Sequence, residues 1–135
     1  MKKDIIHPTV DGVKVAVARR QDEFGNVLWD VYLINRLKNP IDTVFVTSSG
    51  YGVDVDGNKI KTASLRYFFK EVAGEEIVKI EPISPEVFHI NNEYWVSYYI
   101  GNQIFDKKFI FVPESIREEN LIPIAQLGLE GVLHE

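Results

Sequence analysis

The feature that most constrains the fold is a pair of apolar runs separated by two residues that favour a tight reversal. The first run spans residues 94–100 and the second spans residues 104–111. Gly101 and Asn102 lie between them, and both residue types tolerate the positive φ angles that two-residue hairpin turns require. The sequence therefore predicts a β-hairpin at this point of the chain.

Further short apolar runs are predicted strands, several with the period-two alternation that sends successive side chains to opposite faces of a sheet. They span residues 13–18, 28–35, 41–47, 53–60, 77–80 and 87–90. The 53–60 run is itself a predicted hairpin, because the pairs Asp56-Gly57 and Gly57-Asn58 both suit its turn. Residues 65–69 fit either a strand or a short helical turn.

Short strands with turn residues between them and no long helical period predict an all-β fold. We expect a two-sheet antiparallel sandwich of about seven or eight strands, immunoglobulin-like or fibronectin-III-like, with a small barrel as the alternative. One domain is expected, with an N-terminal extension over residues 1–10, the sandwich over 11–112 and a C-terminal helix and tail over 113–135. The predicted core contains Val15, Val17, Trp29, Val31, Leu33, Phe45, Tyr98, Phe109 and Phe111.

The pattern changes after Pro113. Residues 115–118 have the spacing of a capping box, Ser-x-x-Glu, and predict one short helix. The tail over residues 121–133 is too apolar for a solvated appendage, and Pro123, Gly128 and Gly131 suit an irregular segment. We expect it to pack on its own domain, with a homodimer interface as the alternative.

Composition excludes several classes of protein. The chain contains no cysteine, so it has neither a disulfide framework nor a thiolate metal site, and its N-terminus lacks the apolar core of an export signal. These features predict a cytoplasmic protein with no membrane association. The formal net charge of -5 repels nucleic acid and argues against it as a partner. RNA binding would need one spaced basic set to share an exposed face, namely Lys59, Lys61, Arg66 and Lys70.

No motif of catalysis, cofactor binding or metal binding stands out. The histidines at positions 7, 89 and 134 lie in separate segments, without the close spacing of metal ligands. Aligning Gly57 with the turn glycine of a calcium loop leaves Gly52 and Ala63 where carboxylates belong. Neither a nucleophile elbow nor a phosphate-binding glycine loop occurs. We therefore predict no catalytic, cofactor-binding or metal-binding residues and no cofactor.

The strand predicted over residues 94–100 carries aromatic residues on both faces. Tyr94 and Tyr98 share one face, whereas Trp95 and Tyr99 share the other. A strand with one solvated face does not usually need both sets, so either both faces are covered or one meets a partner. These four residues form the predicted interaction surface.

A non-enzymatic binding or protein-interaction module is therefore the leading functional prediction, with another protein or a second copy of the chain as partner. The alternative is a small enzyme whose site combines distant carboxylates and tyrosines. The candidate residues for that site are Asp30, Glu93 or Asp106 with Tyr32 or Tyr94.

Several short segments also resemble a family. They span residues 29–35, 49–51, 105–109 and 127–133. With these segments the chain looks like a small bacterial family, some members of which are labelled as a phenylalanyl-tRNA synthetase subunit. The resemblance implies no catalytic residue. A synthetase catalytic subunit needs a much larger domain, so the resemblance implies an accessory protein associated with tRNA aminoacylation.

Overall fold

The computed structural model describes residues 11–134, so the predicted N-terminal extension over 1–10 lies outside the described residues. This part of the chain contains ten strands and two 3-10 helices. The strands are β1 (Val13–Gln21), β2 (Val27–Asn35), β3 (Ile41–Val53), β4 (Lys59–Lys61), β5 (Leu65–Val72), β6 (Ile77–Pro82), β7 (Asn91–Ile100), β8 (Gln103–Phe111), β9 (Ile122–Ile124) and β10 (Leu129–His134). The 3-10 helices span Pro85–Val87 and Glu118–Asn120.

The strands form two antiparallel sheets. The first sheet has the order β6-β2-β1-β10-β9. In the second sheet β3 pairs with both β4 and β5 along one side, and β7 and then β8 follow on the other side. The predicted all-β class and two-sheet architecture are confirmed. Residues 65–69 belong to a strand, β5, and not to a helical turn.

The core lies between the sheets and follows from period-two alternation. Val15 and Val17 of β1 pair with Leu33 and Val31 of β2, and all four side chains are fully buried. Seven of the nine predicted core residues are buried: Val15, Val17, Val31, Leu33, Tyr98, Phe109 and Phe111. Trp29 packs at the edge of this core, where its ring meets that of Phe88 edge-on at 5.2 Å.

The prediction that Phe45 belongs to the core is wrong. β3 contains a β-bulge at Thr43, which has a left-handed φ of 51°. Because a bulge adds a residue without continuing the alternation, Ile41 and Val44 both face the core although they are three positions apart. Val44 and Val46 then occupy the inner face of β3, and the ring of Phe45 between them points outward, half exposed.

The strand predicted over residues 87–90 is also replaced, by the first 3-10 helix and a turn. Pro85 lies at the start of this helix, where its missing N–H is not needed. The Ser84 hydroxyl accepts a hydrogen bond from the backbone N–H of Glu86 at 3.3 Å. This local capping outcompetes the strand tendency of Val87 and Ile90.

The predicted C-terminal helix and irregular tail are corrected as well. Instead of capping a helix, the Ser115 hydroxyl donates to the carbonyl oxygen of Val112 at 2.7 Å, and only the three-residue Glu118–Asn120 turn is helical. The tail forms β9 and β10, and β10 pairs with β1 in the register Val17 to Val132. An unpaired edge of β1 would expose a row of backbone groups, and this pairing satisfies them. The sandwich therefore extends well beyond the predicted boundary at residue 112.

Within residues 11–134, neither 3-10 helix is long and apolar enough to cross a membrane.

The pairing of β10 with β1 predicts that Gly131→Ala destabilises the fold. An added Cβ would lie 2.5 Å from the Val17 carbonyl oxygen and 2.9 Å from the Ala18 Cα. Since these are backbone atoms, the strands must separate, and we expect a loss of about 1–3 kcal/mol in the free energy of unfolding. Denaturant titration measures it. Glu130→Ala, which removes only an exposed ion pair with Arg19, is the control and should cost less than about 1 kcal/mol. Equal stability of both variants would contradict the pairing.

Candidate functional site

The outward side of the second sheet carries exposed aromatic rings. Because β7 alternates, Tyr94 and Tyr98 point into the core and are only 1% and 3% exposed, whereas Trp95 is 45% exposed. Tyr99 also lies on the outward side and is half-buried. The prediction that Tyr94 and Tyr98 belong to an interaction surface is therefore wrong, since the inter-sheet core covers both. The structure leaves Trp95 and Tyr99 as the outward pair.

Two rings that sequence reasoning did not place there extend this surface. Phe45 and Phe68 are 49% and 56% exposed. They are cross-strand neighbours on β3 and β5, and their ring centroids lie 5.0 Å apart at a tilt of 45°. We call Phe45, Phe68 and Trp95 the aromatic face. The outward position of Phe45 could have been predicted from the Val44-Phe45-Val46 triplet. In a strand the two valines lie on one face and the phenylalanine lies on the other.

A shallow groove of about 300 Å³ runs beside these rings. It is lined by Phe45, Thr47, Trp95, Ser97, Ile104 and Asp106. In the register of the sheet, Thr47 is directly opposite Trp95, and Phe45 is opposite Ser97. The Lys108 ammonium lies 4.7 Å from the centre of the Trp95 ring, within range of a cation–π interaction. The groove therefore combines apolar rings with hydroxyl and charged groups.

Most of the basic set considered for RNA binding also shares this outward side. Lys61 pairs with Tyr51 and Arg66 with Thr47, both in the outward series of β3. Carboxylates are interspersed on the same side of the sheet, however, at Glu93 and in the groove at Asp106. The surface has mixed charge and is not the continuous basic stripe that a phosphate backbone requires.

A second constellation lies between the sheets, around Glu81 of β6. Its Oε1 accepts hydrogen bonds from the Tyr67 hydroxyl at 2.6 Å and the Ser48 hydroxyl at 3.1 Å. Its Oε2 accepts one from the Tyr94 hydroxyl at 2.7 Å. We call these four residues the Glu81 cluster. It connects β6 of the first sheet with β3, β5 and β7 of the second sheet.

Sequence reasoning missed Glu81 because simple alternation would place it outward, on the side of Lys79. A β-bulge in β6 shifts the register, because Glu81 and Lys79 pair with the consecutive β2 residues Val31 and Tyr32. Glu81 therefore lies opposite the inward-facing Val31. The Glu81 side chain consequently reaches the hydroxyl groups between the sheets. Only the three-dimensional pairing reveals this, because the bulge has no sequence marker on β6.

The tyrosines of this cluster are held in their neutral form. Burial, together with the hydrogen bond to the Glu81 carboxylate, raises the pKa of Tyr67 to about 12. Burial and the neighbouring Glu81 charge raise the pKa of Tyr94 further still. Both hydroxyls therefore act as donors at neutral pH, and neither is a base.

The carboxylates and tyrosines predicted for an enzyme site do not meet at one place. Asp30 lies on the outer side of the first sheet, where the Arg20 guanidinium donates to it at 2.7 Å and the Lys79 ammonium lies 3.1 Å away. Burial alone would raise its pKa, but these two cations hold it below the ordinary value. Glu93 accepts a hydrogen bond from Tyr51 at 3.2 Å. The predicted pair Asp30 and Tyr32 does meet, because the Tyr32 hydroxyl donates to Asp30 Oδ2 at 3.5 Å. The Tyr94 hydroxyl donates to Glu81 instead of to a predicted carboxylate.

The histidines are also separate. His89 is exposed in the turn before β7, and the His134 ring packs edge-on against the rings of Phe109 and Phe111. His7 lies outside the described residues. Among residues 11–134, no three histidine or carboxylate side chains are placed to hold a metal ion together.

The Glu81 cluster predicts that Tyr94→Phe destabilises the fold. The substitution keeps the ring but removes a donor from a carboxylate between the sheets, and we expect a loss of about 1–3 kcal/mol. The matched control is Tyr99→Phe, because no hydrogen bond of the Tyr99 hydroxyl is part of this cluster. Urea denaturation compares the two variants, and equal midpoints would contradict the role of the cluster.

The raised pKa of Tyr67 predicts a loss of stability at alkaline pH. A tyrosine ionises near pH 10 in the unfolded chain but near 12 in the folded one, so its stabilising contribution is complete below pH 10. It is lost progressively as the pH rises towards 12. The stability difference between the parent chain and Tyr67→Phe should be constant from about pH 7 to 9 and shrink above about pH 10. A difference independent of pH across this range would contradict the assignment.

Comparison with protein-family models, with curated proteins and with solved structures found no match to this chain. The resemblance to the bacterial family named above therefore stays a prediction.

Proposed function

We propose that the chain is a non-enzymatic binding module that contacts a partner protein through the aromatic face. The observation that carries this proposal is the exposure of Phe45, Phe68 and Trp95 on one side of a sheet whose other side is already buried in the core. None of the three rings is needed to fill that core. Large aromatic side chains left together in water are typical of recognition surfaces.

The groups around the rings support a protein partner. Arg66 lies on β5 and Lys108 on β8, at opposite edges of the face. Glu93 lies between them on β7, and Asp106 lies on β8 beside Lys108. An apolar centre surrounded by charges of both signs is the usual anatomy of a protein–protein interface. The charges set orientation and the association rate, whereas the rings supply the buried area.

The enzyme alternative has weaker support. The best-defined carboxylate, Glu81, adjoins a pocket of about 320 Å³, but three hydroxyl groups occupy its oxygens. A general acid or base must reach a substrate proton, and these contacts compete with that. The cluster is better suited to joining the two sheets than to proton transfer.

We also infer that the strand order is immunoglobulin-like. If β1, β2, β3, β5, β6, β7 and β8 are lettered A, B, C, C′, E, F and G, the two sheets have the orders E-B-A and C′-C-F-G. Immunoglobulin domains divide their strands in this way, with C′ added to the GFC sheet in the variable type. The aromatic face is then the outer side of the C′CFG sheet, and β10 and β9 extend the other sheet beyond strand A.

We further propose that the chain resides in the cytoplasm. The absence of cysteine, which suits a reducing compartment, supports this location.

The binding proposal predicts that Phe68→Ala combined with Trp95→Ala abolishes partner binding without unfolding the chain. The tagged chain would be used to capture partners from cell extract, with quantitative mass spectrometry as the measurement. Truncating two central aromatic residues should lower recovery of a genuine partner by roughly tenfold or more. The free energy of unfolding should fall by about 1–3 kcal/mol, because each ring is half buried and Phe68 also loses its contact with Phe45.

The matched control is Phe24→Ala, which removes an exposed aromatic ring from the turn between β1 and β2. It should leave recovery unchanged. Sedimentation equilibrium of the purified chain tests whether the partner is a second copy. Equal recovery by the double variant and the control, together with unchanged association of the purified chain, would contradict the proposal.

A further inference from the structure

A pocket of about 660 Å³ lies at the end of the second sheet, at the opposite end of β3 from Phe45. It exceeds the groove beside Trp95 in volume and shares no lining residue with it. Its walls come from the end of β3, from β4, from the turn before β7 and from the segment after β8. They consist of Tyr51, Gly52, Val53, Lys59, Ile60, Lys61, His89, Asn91 and Pro113.

All the ionisable side chains of this lining other than Tyr51 are basic. The lining includes the two lysines of β4, Lys59 and Lys61, and the imidazole of His89, but no carboxylate. Lys59 and Lys61 pair in register with Val53 and Tyr51, so alternation sends both ammonium groups to the same side of the sheet. Neither lysine forms an ion pair with any residue in the described range 11–134.

Two carboxylates at this end of the sheet have hydrogen-bond partners other than the lysines. Glu93 accepts a hydrogen bond from the Tyr51 hydroxyl at 3.2 Å. Asp54 Oδ1 accepts the backbone N–H groups of Asp56 and Asn58 within the β3–β4 turn, at 2.9 and 2.8 Å. These contacts, that of Asn58 foremost, lower the pKa of Asp54 and hold its Oδ1 against the backbone of the turn. The lysines are therefore available to an anion from solution.

The remaining lining is apolar and held in place. Val53, Ile60, Pro113 and the Tyr51 ring supply the apolar surface. The Asn91 side chain donates to the backbone carbonyl of Tyr51 at 3.2 Å and ties the start of β7 to β3. Gly52 permits close packing here, since an added Cβ would lie 2.9 Å from Ile90. An apolar pocket with a few convergent polar groups of one charge is the usual form of a ligand site.

We propose that this pocket binds a small amphiphilic anion, a ligand with an aromatic or aliphatic body and one carboxylate, sulfonate or phosphate head group. The body packs against Val53, Ile60 and the Tyr51 ring, and the head group lies between the ammonium groups of Lys59 and Lys61. This site is independent of the aromatic face, because Phe45, Phe68 and Trp95 line none of it.

The test uses the fluorescent probe 8-anilinonaphthalene-1-sulfonate with the full chain, and its uncharged analogue N-phenyl-1-naphthylamine. We expect saturable one-site binding of the sulfonate and weaker binding of the uncharged analogue. Lys59→Gln combined with Lys61→Gln should weaken sulfonate binding by about fivefold to tenfold, because exposed ion pairs contribute modestly and two are lost. Lys70→Gln, which removes an exposed lysine outside the pocket, should leave affinity unchanged.

A pair of variants at Val53, which lies directly opposite Lys59, tests the effect of an added charge of either sign in the pocket. Val53→Glu places a negative charge in the pocket and should weaken sulfonate binding, whereas Val53→Lys, of similar size, should not. Circular dichroism verifies that every variant is folded. Equal affinity for the charged and uncharged probes, insensitivity to the Lys59 and Lys61 changes, or loss of binding in the Phe68→Ala, Trp95→Ala variant would overturn the proposal. Failure here would leave the aromatic face as a protein-binding surface untouched.

Discussion

Apolar contact between the inner faces of the two sheets is the constraint on which the rest of this structure depends. Val15 and Val17 of β1 and their partners on β2 are fully buried against the inner residues of β3, β7 and β8. Once one side of each strand is committed to this layer, a slip by one residue would turn the valines outward. The burial therefore determines the register, and the register places Trp95 and Phe45 in solvent.

Polar groups between or beside the sheets are tied to specific partners. The Asn35 side chain donates to the backbone carbonyls of Asn39 and Ala73, both at 3.0 Å, and so links the turns at the end of the sandwich. Glu81 joins the sheets through hydroxyl groups, and Asp30 is neutralised by two cations on the outer side of the first sheet. A buried polar group without a hydrogen-bond partner raises the free energy of the fold. Each of these side chains therefore also favours the one arrangement of strands that supplies its partners.

The outward side of the second sheet concentrates the features that the core does not use. Its centre carries the aromatic face, and its far end carries the pocket with Lys59 and Lys61. The two places differ in chemistry: one has exposed rings with mixed charges, whereas the other has an apolar hollow with bases only. The proposed protein-binding face and the proposed ligand pocket therefore use different side chains of one sheet.

The strand content, the Gly101-Asn102 hairpin and most of the core were predictable from the sequence, because turn chemistry and period-two alternation are local properties. Packing of the tail on its own domain was predictable from its composition, but its two strands were not, since only β1 offers the edge that β10 completes. Bulges at Thr43 of β3 and at Ile80 of β6 decided the positions of Phe45 and Glu81, and no residue type in the sequence marks either bulge. Both candidate surfaces join side chains from strands distant in the chain. Sequence determined which residues could serve a site, whereas the pairing of the strands decided which of them meet, because pairing depends on long-range burial that no single segment contains.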